Sequence, residues 1–184
     1  MKECSLICKN WGGSRISERK FIVDHNVGKL TRWLWIMGYD TLFFNDENDS
    51  GMVAQTYADG RIILTKDTEI MQRRVITYGH LNAILIKSEE PERQINQVIN
   101  ELDLDCRFKS FSLCLECNQS PKVVCKEKVE DMVPTHVVQT QSEYMQCPAC
   151  HRIYWKGTHW EVMNRKLDRL MGETTNKQGL KKVF

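Results

Sequence analysis

Apolar residues gather in short runs separated by helical patterns along the first hundred residues. FIVD (21–24), TLFF (41–44), RIIL (61–64) and NAILI (82–86) read as four strands. Between the first two, Val27, Leu30, Trp33, Leu34 and Met37 recur at helical spacing, and Gly38 is a natural stop. A second helix is expected from a cap at Asp49 or Ser50 to about Ala58, ended by Gly60. A third is expected over 68–77. A fourth runs from Pro91, a residue favoured in the first turn, to Leu102. Strands and helices therefore alternate with short links. The strands are almost wholly apolar, as burial on both faces requires. The expected fold class is α/β, a parallel sheet covered by helices on each side.

From about residue 106 the pattern changes to short strand-like pieces and paired cysteines. HVVQTQSEY (136–144) and RIYW (152–155) are expected to form an antiparallel pair, and 159–171 a closing helix with Val162, Met163, Lys166 and Leu170 on one side. The expected organisation is a leader (1–20), an α/β domain (21–105), a cysteine-rich unit with its helix (106–171) and a flexible tail (172–184).

Charge sharpens this division. Residues 1–105 hold 13 Lys/Arg against 16 Asp/Glu, and residues 106–184 hold 13 against 8. A basic second part can face an anionic partner, or be ordinary solvated surface. No apolar run approaches the roughly 18–20 residues of a membrane span. MKECSLICKNWGG lacks a signal-peptide core, so a cytoplasmic location is expected.

In a reducing compartment, paired cysteine spacings point to metal rather than disulfides. Cys114-Leu-Glu-Cys117 and Cys147-Pro-Ala-Cys150 are two CxxC knuckles separated by 29 residues. Four thiolates complete a tetrahedral Zn²⁺ shell and leave no position open for catalysis, so a structural Zn²⁺ is expected. A redox CxxC normally stands alone in a βαβ setting. Cys106 and Cys125 are left as spare thiols, and Cys4 and Cys8 have no evident partner pair.

Parallel α/β sheets bind ligands at the carboxyl ends of their strands. Asp24 ends the first strand, Asp67 follows the third, and Asp49 opens the helix after the second, with Asp46 and Glu47 nearby. Gathered carboxylates repel unless a cation sits among them, and hard oxygen donors suit Mg²⁺ or Mn²⁺. Such an ion acidifies water for attack on a phosphodiester. The plainer reading makes these acids helix caps, Asp49 foremost. Lys66 holds a phosphate or pairs with an acid. Lys29 and Arg32 on the first helix contact substrate or are solvated, and Trp33 reads as core. DHN after the first strand supplies neither the paired acids of a receiver domain nor the DxD of a haloacid-dehalogenase phosphatase.

FIVDHNVGKLTRWLWIMGYDT (21–41), GRIILTKD (60–67), the knuckles CLEC and CPAC, and YWKGTHWEVM (154–163) together resemble the C-terminal RNase domain named after the Mut-seven exonucleases. The resemblance spans most of residues 21–170. It implies a PIN-like three-layer fold with a zinc ribbon and a metal-dependent ribonuclease acting on RNA. By position it carries Asp24, Asp49 and Asp67 into the Mg²⁺/Mn²⁺ site. Lys66 stands where the LTRD motif usually has arginine, which keeps the charge but loses the bidentate fork. His25-Asn26 replaces the usual apolar pair. A fourth acid, frequent in PIN-type sites, would come from Glu89 or Glu90. The alternative from a different class is a non-catalytic RNA-binding or adaptor module that works through the ribbon.

Overall fold

The computed structural model of the protein describes residues 19–46 and 49–180, without the side chains of Asp49 and 173–180. The leader up to residue 18, with Cys4 and Cys8, lies outside the described residues, as do Glu47 and the last four residues of the tail.

Four strands, β1 (Phe21–Asp24), β2 (Thr41–Phe44), β3 (Ile62–Thr65) and β4 (Ala83–Leu85), form one parallel sheet in the order β2-β1-β3-β4. Ile22 pairs with Leu42 on one side and Ile63 on the other, so β1 and β3 are central. Every residue of both is buried, which explains their unbroken apolar character.

Strand alternation sends the side chains to two cores. Phe21, Val23, Ile62 and Leu64 pack beneath α1 (Lys29–Met37) and α5 (Pro91–Leu102), through Leu30, Leu34, Ile95 and Val98. Ile22 and Ile63 point the other way, onto Met52 of α2 (Asp49–Asp59) and Ile70 of α3 (Thr68–Gln72). The result is the expected three layers. No helix among the described residues is long and apolar enough to cross a membrane.

The helix expected over 68–77 is two helices. Arg73 is extended (φ −61°, ψ 135°) and separates α3 from α4 (Arg74–Thr77). Ile70 and Ile76, six residues apart, would diverge on one continuous helix. The break lets both reach the same core.

Residues 103–113 wrap around the end of α1. Lys109 N donates to Met37 O, and Phe111 N donates to Ile36 O (3.2 and 2.8 Å). Gly38 makes this approach possible. Its φ is +89°, and a Cβ there would sit 2.2 Å from Lys109 O. Gly38→Ala combines left-handed backbone strain with a collision against main chain. It is expected to cost about 2–4 kcal/mol, read as a lowered urea midpoint with unchanged slope.

The cysteine-rich unit carries an antiparallel sheet, β5 (Lys122–Val124), β6 (Tyr144–Gln146) and β7 (Ile153–Tyr154), in the order β5-β6-β7. The expected pairing of 136–144 with 152–155 is only partly right. Residues 135–140 form a short helix, α6, and the strand begins at Tyr144. Pro134 presets a helical φ of −58°, and its carbonyl accepts from Val137 N. Val137 is buried against Val129 and Tyr144. The single proton of the Tyr144 hydroxyl is shared between Val137 O and Gln141 O, closing the helix end. This packing overrides the strand preference of Val137-Val138.

The last helix, α7 (Thr158–Leu180), runs past the expected end at residue 171. Its core contacts are Met163, Leu167, Leu170 and Met171, whereas Val162 is exposed. Those leucines join the core beneath α1 and α5, so the chain leaves the α/β layer after α5 and returns to it through α7.

Candidate functional site

β2 and β3 flank β1 on opposite sides, so the chain order reverses at β1. A crevice is expected there, beyond the carboxyl ends of β1 and β3. Asp24 is the last residue of β1 and is buried. Thr65, the last of β3, is completely buried, and its hydroxyl donates to Asp24 Oδ2 at 2.6 Å. The same hydroxyl accepts from Asp67 N at 2.9 Å. One threonine therefore bridges the two acids predicted to act together.

Asp67 Oδ1 accepts from Glu69 N at 2.7 Å and caps α3. The plainer reading of Asp67 as a cap is thus realised through one oxygen. Asp67 Oδ2 has no partner among the described residues. On Asp24, His25 Nδ1 lies 2.8 Å from Oδ1. Each Asp24 oxygen then has one contact and retains one lone pair.

The pair that departs from the family pattern is structural in part. Asn26 Oδ1 accepts from Lys66 N at 3.2 Å, tying the turn after β1 to the end of β3. The Lys66 ammonium pairs with Glu89, the first of the two acids considered beyond β4. Glu90 instead pairs with Arg93, one helical turn away. Lys29 and Arg32 are exposed on α1, one turn apart. Trp33 is buried in the core, as expected.

Asp49 begins α2, just after the end of β2. Its carboxylate lies outside the described residues. The neighbouring Ser50 receives a hydrogen bond from Arg73 at 3.3 Å, which joins the start of α2 to the α3–α4 junction.

Thr65 was not among the residues singled out in the sequence. Its signal was a hydroxyl closing an otherwise apolar buried strand. Thr65→Val keeps the shape and removes the bridge, leaving a buried carboxylate oxygen and an amide unpaired. The expected cost is about 1–3 kcal/mol, measured as a shift in the denaturation midpoint.

The four knuckle cysteines, Cys114, Cys117, Cys147 and Cys150, come together with all Sγ atoms within 4.8 Å of one another. Two Sγ pairs stand at 3.5 and 3.3 Å. A disulfide would bring them to about 2.05 Å. Tetrahedral bonds of about 2.3 Å to Zn²⁺ imply Sγ separations of about 3.8 Å, so the set fits that ion. Both knuckles fold alike. Asn118 N donates to Cys114 O, and His151 N donates to Cys147 O. Cys114 N donates to Gln119 O, and Cys147 N donates to Arg152 O. Asn118 and His151 both take positive φ (61° and 59°). Tyr154 Oη lies 3.0 Å from Cys114 Sγ and accepts from Leu115 N, which orients the first knuckle.

Cys106 is buried apart from this cluster. Desolvation and the Asp105 carboxylate push its thiol up to about 11, which suits an inert core residue. Cys125 is exposed and also stands outside the set.

A polar latch joins the ribbon to the sheet. Asn118 Nδ2 donates to Asp40 Oδ1 at 2.6 Å. Arg61 holds the same carboxylate with two bonds, at 3.0 and 3.2 Å. Burial opposes the Asp40 charge, but these donors outweigh it and hold the carboxyl below its usual range. The resulting stability is present above the unfolded carboxyl value of about 4 and is lost as pH falls through the lower folded value. Asp40 precedes β2, so the latch lies at the opposite end of the sheet from Asp24.

No curated protein and no solved structure gives a significant match to the chain. The family model described as the Mut7-C RNAse domain matches residues 19–167, which include all four strands, Asp24, Asp67 and both cysteine knuckles. The chain therefore belongs to the Mut7-C RNAse domain family, a nuclease-type family, and joins a parallel four-stranded sheet flanked by helices to a four-cysteine cluster consistent with a zinc ribbon.

Proposed function

We propose that the protein is a cytoplasmic ribonuclease that hydrolyses RNA phosphodiester bonds with Mg²⁺ or Mn²⁺. The observation that carries this reading is the Thr65 hydroxyl shared by the Asp24 carboxylate and the Asp67 amide, at the point where strand order reverses. The carboxylates of Asp24 and Asp67, with Asp49 as the proposed third, offer the hard oxygen donors that such a cation selects. When bound, the ion supplies Lewis-acid polarisation and an acidified water. Thr65 fixes the Asp24 carboxylate, and the capping bond fixes Asp67, so little reorganisation remains on binding. Lys29 and Arg32, exposed on α1, are the proposed contacts to substrate phosphates. Lys66 is held by Glu89 and becomes available to phosphate only if that exposed pair opens.

The direct test is labelled single-stranded RNA with Mn²⁺, Mg²⁺ or EDTA. Cleavage is expected with either ion and not in EDTA. Cleavage that persists in EDTA contradicts the proposal.

A second reading is a non-catalytic RNA-binding module. It is favoured by His25, which occupies one Asp24 oxygen. RNA held without cleavage at saturating Mn²⁺ would select it.

A further inference from the structure

A groove of about 1110 Å³ lies between the ribbon and the part of the main layer formed by α1 and the start of α7. Small-molecule pockets span roughly 300–1,000 Å³, so this space suits a longer ligand. Arg32 from α1, His136 from α6 and His159 from α7 line it. All three are exposed, and their side chains make no hydrogen bond or ion pair with the described residues. Trp155 and Trp160 stand half-buried in the same groove. Trp155 packs on the ribbon core, and Trp160 tilts against Phe111 with ring centroids 5.2 Å apart.

Indoles braced from behind and unpaired nitrogen donors form the set that single strands require. Bases stack on rings while donors meet phosphates. An A-form duplex keeps its bases stacked on one another and gives such rings nothing to hold. Of the acids lining the groove, Glu143 is neutralised by Lys156 at 2.9 Å, and Glu161 is balanced by the unpaired Arg32; Arg107 and Arg152 are already paired with Asp168 and Glu116.

The groove is connected to the acidic rim through α1, which begins near Asp24 and carries Arg32. Lys29 opens α1 just after the turn that follows Asp24, and Arg32 lies three residues on, along the same side of the helix. Two exposed cations, Lys29 and Arg32, therefore stand on α1 between the end of β1 and the groove, and the second lines it. We infer that this groove is the track for single-stranded RNA entering or leaving the carboxylate rim. The direction of travel rests on the nuclease reading; the binding itself does not.

The test uses zinc-loaded Asp24→Asn protein without other divalent ions, and a labelled RNA of about 12 nucleotides, within the site sizes of single-strand binders. Arg32→Glu combined with His136→Glu and His159→Glu is expected to weaken binding at least about tenfold, against less than about twofold for Arg74→Glu on the opposite face. Thiouridine-substituted RNA is expected to crosslink to peptides containing Trp155 or Trp160. Equal losses in the triple and control variants, or crosslinks confined to other surfaces, would overturn the track. Wild-type protein is assayed separately for Mn²⁺-dependent cleavage. Cleavage with full RNA binding by the triple variant removes the track alone. Groove-dependent binding without wild-type cleavage leaves the track and removes the nuclease reading.

Discussion

Asp24→Asn is expected to reduce Mn²⁺-dependent RNA cleavage about a thousandfold, the equivalent of about 4 kcal/mol of transition-state stabilisation. Asparagine matches the shape of aspartate and can still accept one bond from Thr65 or His25. The change thus removes charge and one acceptor while the strand end stays packed. Circular dichroism and the RNA dissociation constant should remain near wild type. An unchanged metal-dependent rate would exclude Asp24 as a metal ligand. Asp67→Asn separates two roles at the other acid. Asparagine caps helices about as well as aspartate, so a mere cap would leave the rate untouched. A carboxylate that holds the cation through its second oxygen would instead lose about a hundredfold or more.

The second large effect concerns the thiolates. Chelation of Zn²⁺, or Cys147→Ser, is expected to unfold the ribbon while the four-stranded sheet persists. Zinc binding in small domains contributes about 10–16 kcal/mol, as much as whole domains have in net stability. The ribbon's own buried core is Val129, Val137 and Tyr144, too small to replace that contribution. Hydrogen exchange should become fast over 114–155 and stay slow in β1 and β3. The metal content of the native protein should be one zinc per chain. Slow exchange in the ribbon after complete chelation would contradict the assignment.

The strands and knuckles were legible in the sequence because each rests on a local rule. FIVD and RIIL read as buried strands because their apolar runs are unbroken, although the third strand runs one residue later, over Ile62–Thr65, and CxxC spacing is itself the geometry of a knuckle. The misread segments are those where distant contacts decide. Val137-Val138 favours a strand until Tyr144 reaches back to satisfy a helix end. Residues 68–77 favour one helix until two isoleucines must reach a single core. At the rim, the positions of Asp24 and Asp67 follow from strand order, but their connection through Thr65 depends on the register of β1 with β3. Asn118, directly after Cys117, was not singled out in the sequence. Its contact with Asp40, 78 residues earlier in the chain, has no local signature.

The route of the chain through α5, the ribbon and α7 has a practical consequence. Both stems of the cysteine-rich segment emerge from one flank of the sheet, so it is spliced into the α/β fold rather than hung from its end. A graft that bridges α5 to α7 directly would preserve every crossover of the four-stranded sheet and delete the cysteine-rich segment in one cut. The cysteine-rich segment could then be exchanged between relatives as a cassette, provided that the partners of Asp40 and of the end of α1 travel with it.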